Sequence, residues 1–192
     1  MSRISVIAVL AVLSLSQCAA GAAAQESVFE YNGLIYCKTA DYEGLEVLRL
    51  ADAGIADPVV IPDEVVYGGE ALPVVSIGTR AFVDTDVTDV TLGANIRSIG
   101  SQAFSGTGLG IIAIPAGVSA IGDYAFAGCV GLRDIVISGQ PHIGIYAFWD
   151  CPEISKIIIA SAEPPICGNV VFDPDDIADA YLSVPAGTIP AY

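Results

Sequence analysis

Hydrophobic residues recur along the chain with a period of 22 residues. The pattern Ile-Gly-x-x-Ala-Phe occurs four times in strict register. Its apolar members are Ile77 and Phe82, Ile99 and Phe104, Ile121 and Phe126, and Ile143 and Phe148. Such a period is typical of coils that stack on one another, because one unit of this length cannot bury its own apolar edge. The sequence therefore predicts a solenoid in which equivalent side chains of successive coils form continuous interior columns.

A second apolar pattern lies between these motifs and predicts strands. It consists of Val87, Val90 and Leu92, then Leu109, Ile112 and Ile114, then Leu132, Ile135 and Ile137, and finally Ile154, Ile157 and Ile159. The last two members of each set are two residues apart, so in a strand they face one side, which we expect to be the interior. The isoleucine of each Ile-Gly pair is predicted to form a second wall. The Ala-Phe pair, on a short helical or irregular turn, is predicted to form a third.

Two recurrent positions allow more than one interpretation. The glycine after each motif isoleucine, as in Gly122, supplies either a positive backbone angle or a close approach between coils. Cys129 and Cys151 occupy one position of adjacent coils. Stacked side chains point in parallel, which strains a disulfide, and buried free cysteine packs as a small hydrophobic residue. We expect free thiols there, with a bridge as the alternative, and Cys37 and Cys167 are expected to lie in opposite caps.

The segments on either side of the repeats are predicted to be caps. Val59 to Pro62 resembles a strand with its proline ending, and Tyr67 to Glu70 has the Gly-Gly centre of a hairpin turn. Phe29 to Tyr36 and Leu45 to Leu50 are predicted as strands, and Tyr181 to Pro185 as a final strand. The expected organisation is a signal peptide at 1–24, an N-terminal cap and first coil at 25–76, four repeat coils at 77–165 and a C-terminal capping coil at 166–192.

The N-terminal segment has the pattern of a secretory signal. Arg3 supplies the positive charge, Ile4 to Leu15 the apolar core, and Ala22 to Ala24 the small residues before a cleavage site, which would make Gln25 the first residue of the mature chain. The alternative is lipidation at Cys18, although Gln17 is a poor match to the small residue that usually precedes a lipidated cysteine. Both interpretations predict export, and no later apolar run is long enough to span a membrane.

Composition narrows the function further. The 192 residues are 54% hydrophobic and carry a formal net charge of −15, which argues against nucleic acid and anionic lipid as partners. His142 is the only histidine, so a histidine-based triad or zinc site is not expected. The acidic clusters, which are Asp84, Asp86 and Asp89 and then Asp173, Asp175, Asp176 and Asp179, lack the glycine and spacing of an EF-hand loop and are predicted to be solvated. No metal or cofactor is predicted.

The repeat resembles that of BspA-like leucine-rich repeat proteins. The third copy, which runs from Ile121-Gly122 through Ala125-Phe126, Cys129 and Leu132 to Ile135 and Ile137, departs from the family pattern only where Ser138 replaces proline. The resemblance implies an α/β, mostly β, leucine-rich-repeat solenoid of about four coils with parallel strands, short helical turns and small caps. It also implies a secreted or surface protein that attaches to host matrix proteins or to other cells. It offers no catalytic residue to carry over.

The outward face of the predicted strands is the candidate site for a partner. One row on it contains Thr91, Ala113, Val136 and Ile158, and the row beside it contains Asp89, Ile111, Asp134 and Lys156. Aligned exposed aliphatic side chains either pack against their neighbours or form a docking stripe. Trp149 is a further candidate as an aromatic anchor, although half-buried packing is the more common state of such a residue.

Two functions are consistent with these features, and a third lacks support. The first is a non-catalytic adhesion or binding module whose sheet face contacts a protein or glycan on host matrix or on other cells. The second is a structural or accessory piece of a larger surface adhesin without its own ligand. The third, a hydrolase, has no support, because the Gly-x-Ser-x-Gly elbow and convergent carboxylates are not found in the sequence.

Overall fold

The structure is a computed structural model that describes residues 28–40, 43–51 and 58–188. The predicted signal peptide and Cys18 lie outside the described residues. The described residues form strands and turns and contain no helix. The strands are β1 Val28–Tyr31, β2 Leu34–Lys38, β3 Leu45–Leu50, β4 Val59–Val60, β5 Glu64–Tyr67, β6 Glu70–Ile77, β7 Val90–Thr91, β8 Ser98–Ile99, β9 Ile111–Ile114, β10 Ala120–Ile121, β11 Asp134–Ile137, β12 His142–Ile143, β13 Lys156–Ile159, β14 Ile166–Cys167 and β15 Tyr181–Ser183.

The chain winds into a solenoid, as the period predicts, and the solenoid has about five turns. The first wall is a parallel sheet with the strand order β15-β13-β11-β9, and β4 pairs with β7 at its N-terminal side. Ile112, Ile135 and Ile157 lie in register across this sheet and are buried. The interior positions predicted for the first wall are all buried except Leu92, which is half-buried. The alternation of inward and outward residues therefore gives one buried side and one side that faces solvent.

The second wall is built by the motif isoleucines. β6, β8, β10, β12 and β14 pair in parallel, with Ile99, Ile121 and Ile143 in register and buried. The cap extends this sheet, because β3 pairs in parallel with β6 and continues into the antiparallel strands β2 and β1. The cap thus shares a sheet with the repeats and covers the N-terminal end of their second wall.

The third wall is the predicted column of phenylalanines. Phe82, Phe104, Phe126 and Phe148 are fully buried, and the ring centroids of neighbours lie 4.9, 5.3 and 5.0 Å apart with nearly parallel planes. The backbone joins each coil to the next, since the Phe126 N–H donates to the Ala147 carbonyl at 2.8 Å. Stacking of identical coils accounts for both the ring spacing and these hydrogen bonds.

The predicted short helical turns are not helices. Tyr124 and Gly128, at either side of Phe126, have φ angles of 57° and 73°, in the left-handed region. Equivalent positions of the other coils have the same conformation, as at Tyr146 and Asp150. An α-helix cannot continue through a turn that contains two left-handed residues. In addition, N–H groups such as that of Phe126 donate to the next coil instead of within the turn.

The motif glycines serve close approach between coils. Gly78, Gly100, Gly122 and Gly144 do not have positive φ angles in the described structure. A Cβ added to Gly122 would lie 2.5 Å from the backbone nitrogen of Ser101 and 2.8 Å from the carbonyl carbon of Gly100. Of the two interpretations left open by the sequence, the structure therefore supports the second, in which the glycine allows a close approach between coils.

The predicted hairpin projects beside the first coil and packs on the cap. β5 and β6 pair in antiparallel register around Gly68 and Gly69, which both have positive φ angles. The Tyr67 ring stacks on Phe29 with centroids 4.1 Å apart, and Phe29 stacks in turn on Tyr36 at 5.7 Å. The strand predicted from Phe29 to Tyr36 is therefore two strands, because Asn32 and Gly33 turn the chain between β1 and β2.

A fifth phenylalanine extends the column beyond the four repeats. Phe172 stacks on Phe148 with centroids 5.3 Å apart, and the two residues form a parallel bridge. Cys167-Gly168 followed by Val171-Phe172 is a degenerate copy of the motif, displaced because its spacing from the fourth copy is 24 residues instead of 22. The two additional residues precede β14, next to Pro164 and Pro165.

Candidate partner-binding face

The outward side of the first wall holds eight of the nine predicted site residues in two rows, which together we call the sheet face. The first row is Thr91, Ala113, Val136 and Ile158, and the second is Asp89, Ile111, Asp134 and Lys156. Val136 lies in register with Ala113 on one side and Ile158 on the other. Asp134 lies in the same way between Ile111 and Lys156. Parallel strands about 4.8 Å apart space these side chains evenly along the solenoid axis.

The two rows differ in chemistry. In the first row, Thr91 and Ala113 are exposed, and Val136 and Ile158 are half-buried against their neighbours. In the second row Ile111 is exposed and lies beside the Asp134 carboxylate. The sheet face therefore presents an aliphatic stripe bordered by charged side chains of both signs, an arrangement that offers apolar area for burial and polar groups for orientation.

The structure extends both rows with residues that were not predicted as site residues. Val60 on β4 is exposed and pairs with Thr91. Ser183 and Tyr181 on β15 lie in register with Ile158 and Lys156, and Tyr181 is exposed. The sequence contained the signal for both ends, because Val59 to Pro62 and Tyr181 to Pro185 have the same strand-and-proline pattern as the repeats.

Trp149 lies away from the sheet face, in the turn between β12 and β13. It is half-buried and contacts Tyr146 edge to face, with ring centroids 5.1 Å apart. Tyr146 in turn lies 5.1 Å from the ring of Tyr124, which occupies the equivalent position of the preceding coil. The three rings form a cluster on the turns of the solenoid, so Trp149 and the two rows do not share one surface.

The two stacked cysteines occupy a position that recurs in each coil. Thr85 and Thr107 occupy the same position in earlier coils, and each hydroxyl donates to a phenylalanine carbonyl at 2.8 Å. Cys129 and Cys151 are free and buried, and each thiol donates to the phenylalanine carbonyl of the preceding coil, at 3.1 and 3.3 Å. Both cysteines are therefore free thiols, as expected, and the alternative of a bridge is not observed. Each thiol thus links its own coil to the preceding one.

Burial makes these thiols unreactive at neutral pH. Desolvation raises the pKa of Cys129 above its ordinary value. Desolvation, followed by the neighbouring Cys129, raises the pKa of Cys151 to about 12. The nucleophilic form of cysteine is the thiolate, so neither residue has the properties of a catalytic nucleophile.

The raised pKa values predict a loss of stability in alkali. The folded state keeps the Cys151 proton up to a pH of about 12, whereas the unfolded chain releases it near 9.0. Because the folded state then binds more protons than the unfolded state, the free energy of unfolding falls as the pH rises through this interval. The double replacement Cys129→Thr and Cys151→Thr introduces the residue that earlier coils carry at this position and removes both titrating thiols. It is expected to flatten this fall, as measured by urea denaturation at several pH values. An equal slope in both proteins would contradict the assignment.

Of the other groups with a raised pKa, Glu46 and Tyr36 belong to the cap, and Cys167, whose pKa is raised by burial, lies on β14 of the last coil. Burial raises the pKa of Glu46 on β3, while a hydrogen bond from the Ser76 hydroxyl at 3.3 Å opposes that shift. Burial of the Tyr36 ring raises the pKa of its hydroxyl above the usual range. The acidic C-terminal loop is tied to the backbone, since the Asp176 carboxylate accepts a hydrogen bond from the Cys151 N–H at 2.7 Å. Within residues 28–40, 43–51 and 58–188, no group of three or more His, Cys, Asp or Glu is arranged to hold a metal ion.

No helix among the described residues is long and apolar enough to cross a membrane.

Stacked coils with a parallel sheet on one wall, a second short-stranded wall and a column of phenylalanines define a leucine-rich-repeat solenoid. The pattern of the family described as "BspA type Leucine rich repeat region (6 copies)" matches residues 72–174, which is more than half of the chain. The chain belongs to this BspA-type leucine-rich repeat family. The family and its structural neighbours are typically non-catalytic, and the family suggests a module for protein interaction. Comparison with curated proteins finds no match.

Solved structures show the same fold. A leucine-rich repeat protein of T. pallidum is 29% identical, with a TM-score of 0.60 over 81% of this chain and 63% of that chain. A leucine-rich repeat protein from Bacteroides capillosus is 20% identical, with a TM-score of 0.51 over 83% of this chain and 99% of its own. The pneumococcal vaccine antigen PcpA is 15% identical, with a TM-score of 0.57 over 84% of this chain and 51% of its own. The last two show the fold alone. This chain spans 63% of the T. pallidum protein and 51% of PcpA, which is less than two thirds of either.

Proposed function

We propose that this chain is a non-catalytic, secreted or cell-surface module that binds a protein partner through the sheet face. The observation that carries the proposal is the aliphatic row in which Ala113, Val136 and Ile158 lie in register on adjacent parallel strands. Extended faces of this kind are the surfaces with which solenoids bind other proteins. The charged residues of the second row supply the orientation and selectivity that an apolar stripe alone lacks.

The distribution of titratable groups supports a role without catalysis. Catalytic acids, bases and nucleophiles are expected as perturbed groups that converge in a cleft. In the described part of the chain, Glu46, Cys129 and Cys151 have raised pKa values and lie in the solenoid interior or its cap, each with a hydrogen-bond partner. Tyr36 and Cys167, whose pKa values are also raised, lie on β2 of the cap and on β14 of the last coil. His142 is exposed on β12. These groups serve the fold, and a substrate would not reach them together.

The signal pattern at residues 1–24 supports export. Mass spectrometry of the mature N-terminus distinguishes cleavage before Gln25, which is the expected result, from lipidation at Cys18. An intact Met1 terminus on protein isolated from its natural source would contradict secretion by either route.

Replacing the aliphatic row is expected to abolish capture of the partner. The triple variant Ala113→Lys, Val136→Lys and Ile158→Lys places three charges on the stripe and removes the apolar area that a partner would bury. The chain, immobilised, is incubated with extracellular-matrix extract, and each captured protein is identified by mass spectrometry. The purified captured protein is then titrated against wild type and variant. We expect a loss of affinity of about a hundredfold or more, as for removal of several interface anchors.

The control must carry the same added charge at other exposed aliphatic positions. The control is the triple variant Val66→Lys, Val130→Lys and Ile145→Lys. These three residues are exposed and lie on the hairpin and the turns, outside the sheet face. This control is expected to bind the partner with nearly wild-type affinity. Thermal unfolding of both triple variants establishes that the solenoid is intact. Equal affinity of the two variants would discard the sheet face as the site.

A further inference from the structure

One position of the repeat carries planar side chains on the turns of the solenoid. Tyr124 and Tyr146 lie two residues after the motif glycines of successive coils, and Arg80 and Gln102 hold the same position in the two earlier coils. All four residues have φ angles between 55° and 61°. Because their backbone conformation is the same, their side chains leave the turns in the same direction. We call these four residues the turn row.

The side chains of the turn row lie over one another along the solenoid axis. The Arg80 guanidinium donates to the Gln102 carboxamide oxygen at 3.1 Å. The Tyr124 and Tyr146 rings have centroids 5.1 Å apart, which is close to the spacing of about 4.8 Å between parallel strands. Arg80 and Tyr124 are exposed, and Gln102 and Tyr146 are half-buried. The turn row therefore presents aromatic and hydrogen-bonding groups to solvent with the period of the coils.

The surroundings of the turn row add a third ring and further polar groups. The ring of Trp149 stands at 84° to that of Tyr146, so the indole and the phenol present ring surface in two directions. Thr79, Ser101 and Asp123 precede members of the row by one residue. Asp123 is exposed, and its Oδ1 accepts a backbone N–H of the next coil at 3.0 Å. Aromatic rings thus lie beside hydroxyl, carboxamide, guanidinium and carboxylate groups.

This combination of groups fits a neutral glycan. Aromatic side chains offer an apolar contact to the C–H groups of sugar rings, and the planar polar groups exchange hydrogen bonds with sugar hydroxyls. The formal net charge of −15 and the exposed Asp123 and Asp150 disfavour an anionic glycan. The turn row itself contains no aliphatic side chain, in contrast to the first row of the sheet face.

The spacing of the turn row selects the shape of the glycan. Successive sugars of an extended β-1,4-linked chain advance by nearly the distance between coils, whereas an α-1,4-linked chain curves into a helix. A β-1,4-linked chain laid along the solenoid axis would therefore place successive sugars over equivalent positions such as Tyr124 and Tyr146. A curved chain could contact one coil and would then leave the row.

We propose that the turn row and Trp149 bind a neutral, extended β-1,4-linked glycan that runs along the solenoid axis. Tyr124, Tyr146 and Trp149 supply contact with the sugar rings, and Arg80 and Gln102 supply hydrogen bonds to the hydroxyls. This site lies on the turns and does not depend on the function proposed for the sheet face.

The first test uses the wild-type chain. Trp149 is the only tryptophan of the chain, so its intrinsic fluorescence reports on the site. The chain is titrated with the β-1,4-linked hexamers cellohexaose and chitohexaose, and with maltohexaose, which has the sugar of cellohexaose in α-1,4 linkage. We expect a saturable change in fluorescence with a β-linked hexamer, at an affinity about tenfold or more above that for maltohexaose. The tighter of the two β-linked hexamers identifies the sugar. Comparable binding of maltohexaose, or no binding of either β-linked hexamer, would overturn the proposal.

Variants then locate the site. The double variant Tyr124→Ala and Tyr146→Ala removes both phenol rings, and we expect its affinity for the β-linked hexamer in calorimetry to fall about tenfold or more. Tyr181→Ala, which removes an exposed tyrosine of the extended sheet face, is the control and is expected to bind normally. Thermal unfolding establishes that both variants are folded.

The triple lysine variant of the sheet face should also retain glycan binding, which separates this proposal from the preceding one. Undiminished binding of the hexamer by the double tyrosine variant would place the glycan elsewhere and overturn the proposal. A captured protein that the double tyrosine variant no longer binds, while neither β-linked hexamer binds the wild-type chain, would instead identify a protein as the occupant and overturn it.

Discussion

Phe126→Ala is expected to lower the free energy of unfolding by about 3–5 kcal/mol, the range for removal of a buried phenylalanine. Phe126 is fully buried and stacks on a ring at each side, with centroids 5.3 Å from Phe104 and 5.0 Å from Phe148. The surrounding side chains cannot collapse into the cavity, because the spacing of the coils is fixed by backbone hydrogen bonds such as Phe126 N–H to Ala147 carbonyl. For a chain of this size the midpoint of thermal unfolding should fall by roughly 6–20 °C.

Two control variants separate column packing from a general effect of truncation. Tyr124→Ala, two residues away and partly exposed, is expected to cost less than about 1 kcal/mol. Phe172→Ala removes the ring at the end of the column, which has a phenylalanine neighbour only at Phe148 and is half-buried, so its cost should be intermediate. Denaturation followed by circular dichroism measures all three. A Phe126→Ala protein as stable as the Tyr124→Ala protein would show that the column does not hold the coils together.

A central defect should also divide the solenoid. Each coil contacts only its neighbours, so the stability of the array depends on the interfaces between successive coils. Loss of the Phe126 ring weakens two interfaces at once, on the sides of Phe104 and Phe148. Amide hydrogen exchange is therefore expected to accelerate more in the coils after Phe126 than in the N-terminal cap, which is held by antiparallel pairing of β1, β2 and β3.

The repeat itself accounts for the parts of the fold that could be predicted. Identical spacing of Ile99, Ile121 and Ile143 requires that equivalent residues lie over one another, which gives the walls and the phenylalanine column without further information. The two rows of the sheet face follow in the same way from the alternation of side chains along a strand, as with Val136 between the buried Ile135 and Ile137.

The remaining features depend on contacts that a single repeat does not encode. The left-handed conformation of Tyr124 is imposed by hydrogen bonding to the next coil, and tyrosine has no intrinsic preference for it. The position of Phe172 was hidden because its motif has Cys167 for isoleucine, Val171 for alanine and two additional residues before it. The pairing of β3 with β6 is a long-range contact between the cap and the first coil. The local sequence pattern does not specify the register of this pairing.

Gly122→Ala is expected to destabilise the solenoid by about 3 kcal/mol, although it adds a single methyl group. The new Cβ would lie 2.5 Å from the Ser101 nitrogen and 2.8 Å from the Gly100 carbonyl carbon. These are backbone atoms of the preceding coil, which cannot rotate away as a side chain would. The coils must therefore separate, and the hydrogen bond from the Gly122 N–H to the Ile99 carbonyl, now 2.8 Å, must lengthen.

Gly110→Ala is the matched control for this prediction. Gly110 does not have a positive φ angle, and no atom outside its immediate chain neighbours lies within 4 Å of an added Cβ. This substitution is expected to be neutral or to stabilise the chain by up to about 1 kcal/mol, because alanine restricts the unfolded state more than glycine does. Urea denaturation of both proteins measures the difference. Similar midpoints for the two variants would mean that the coils can separate at little cost, and that close stacking at the motif glycines does not hold them together.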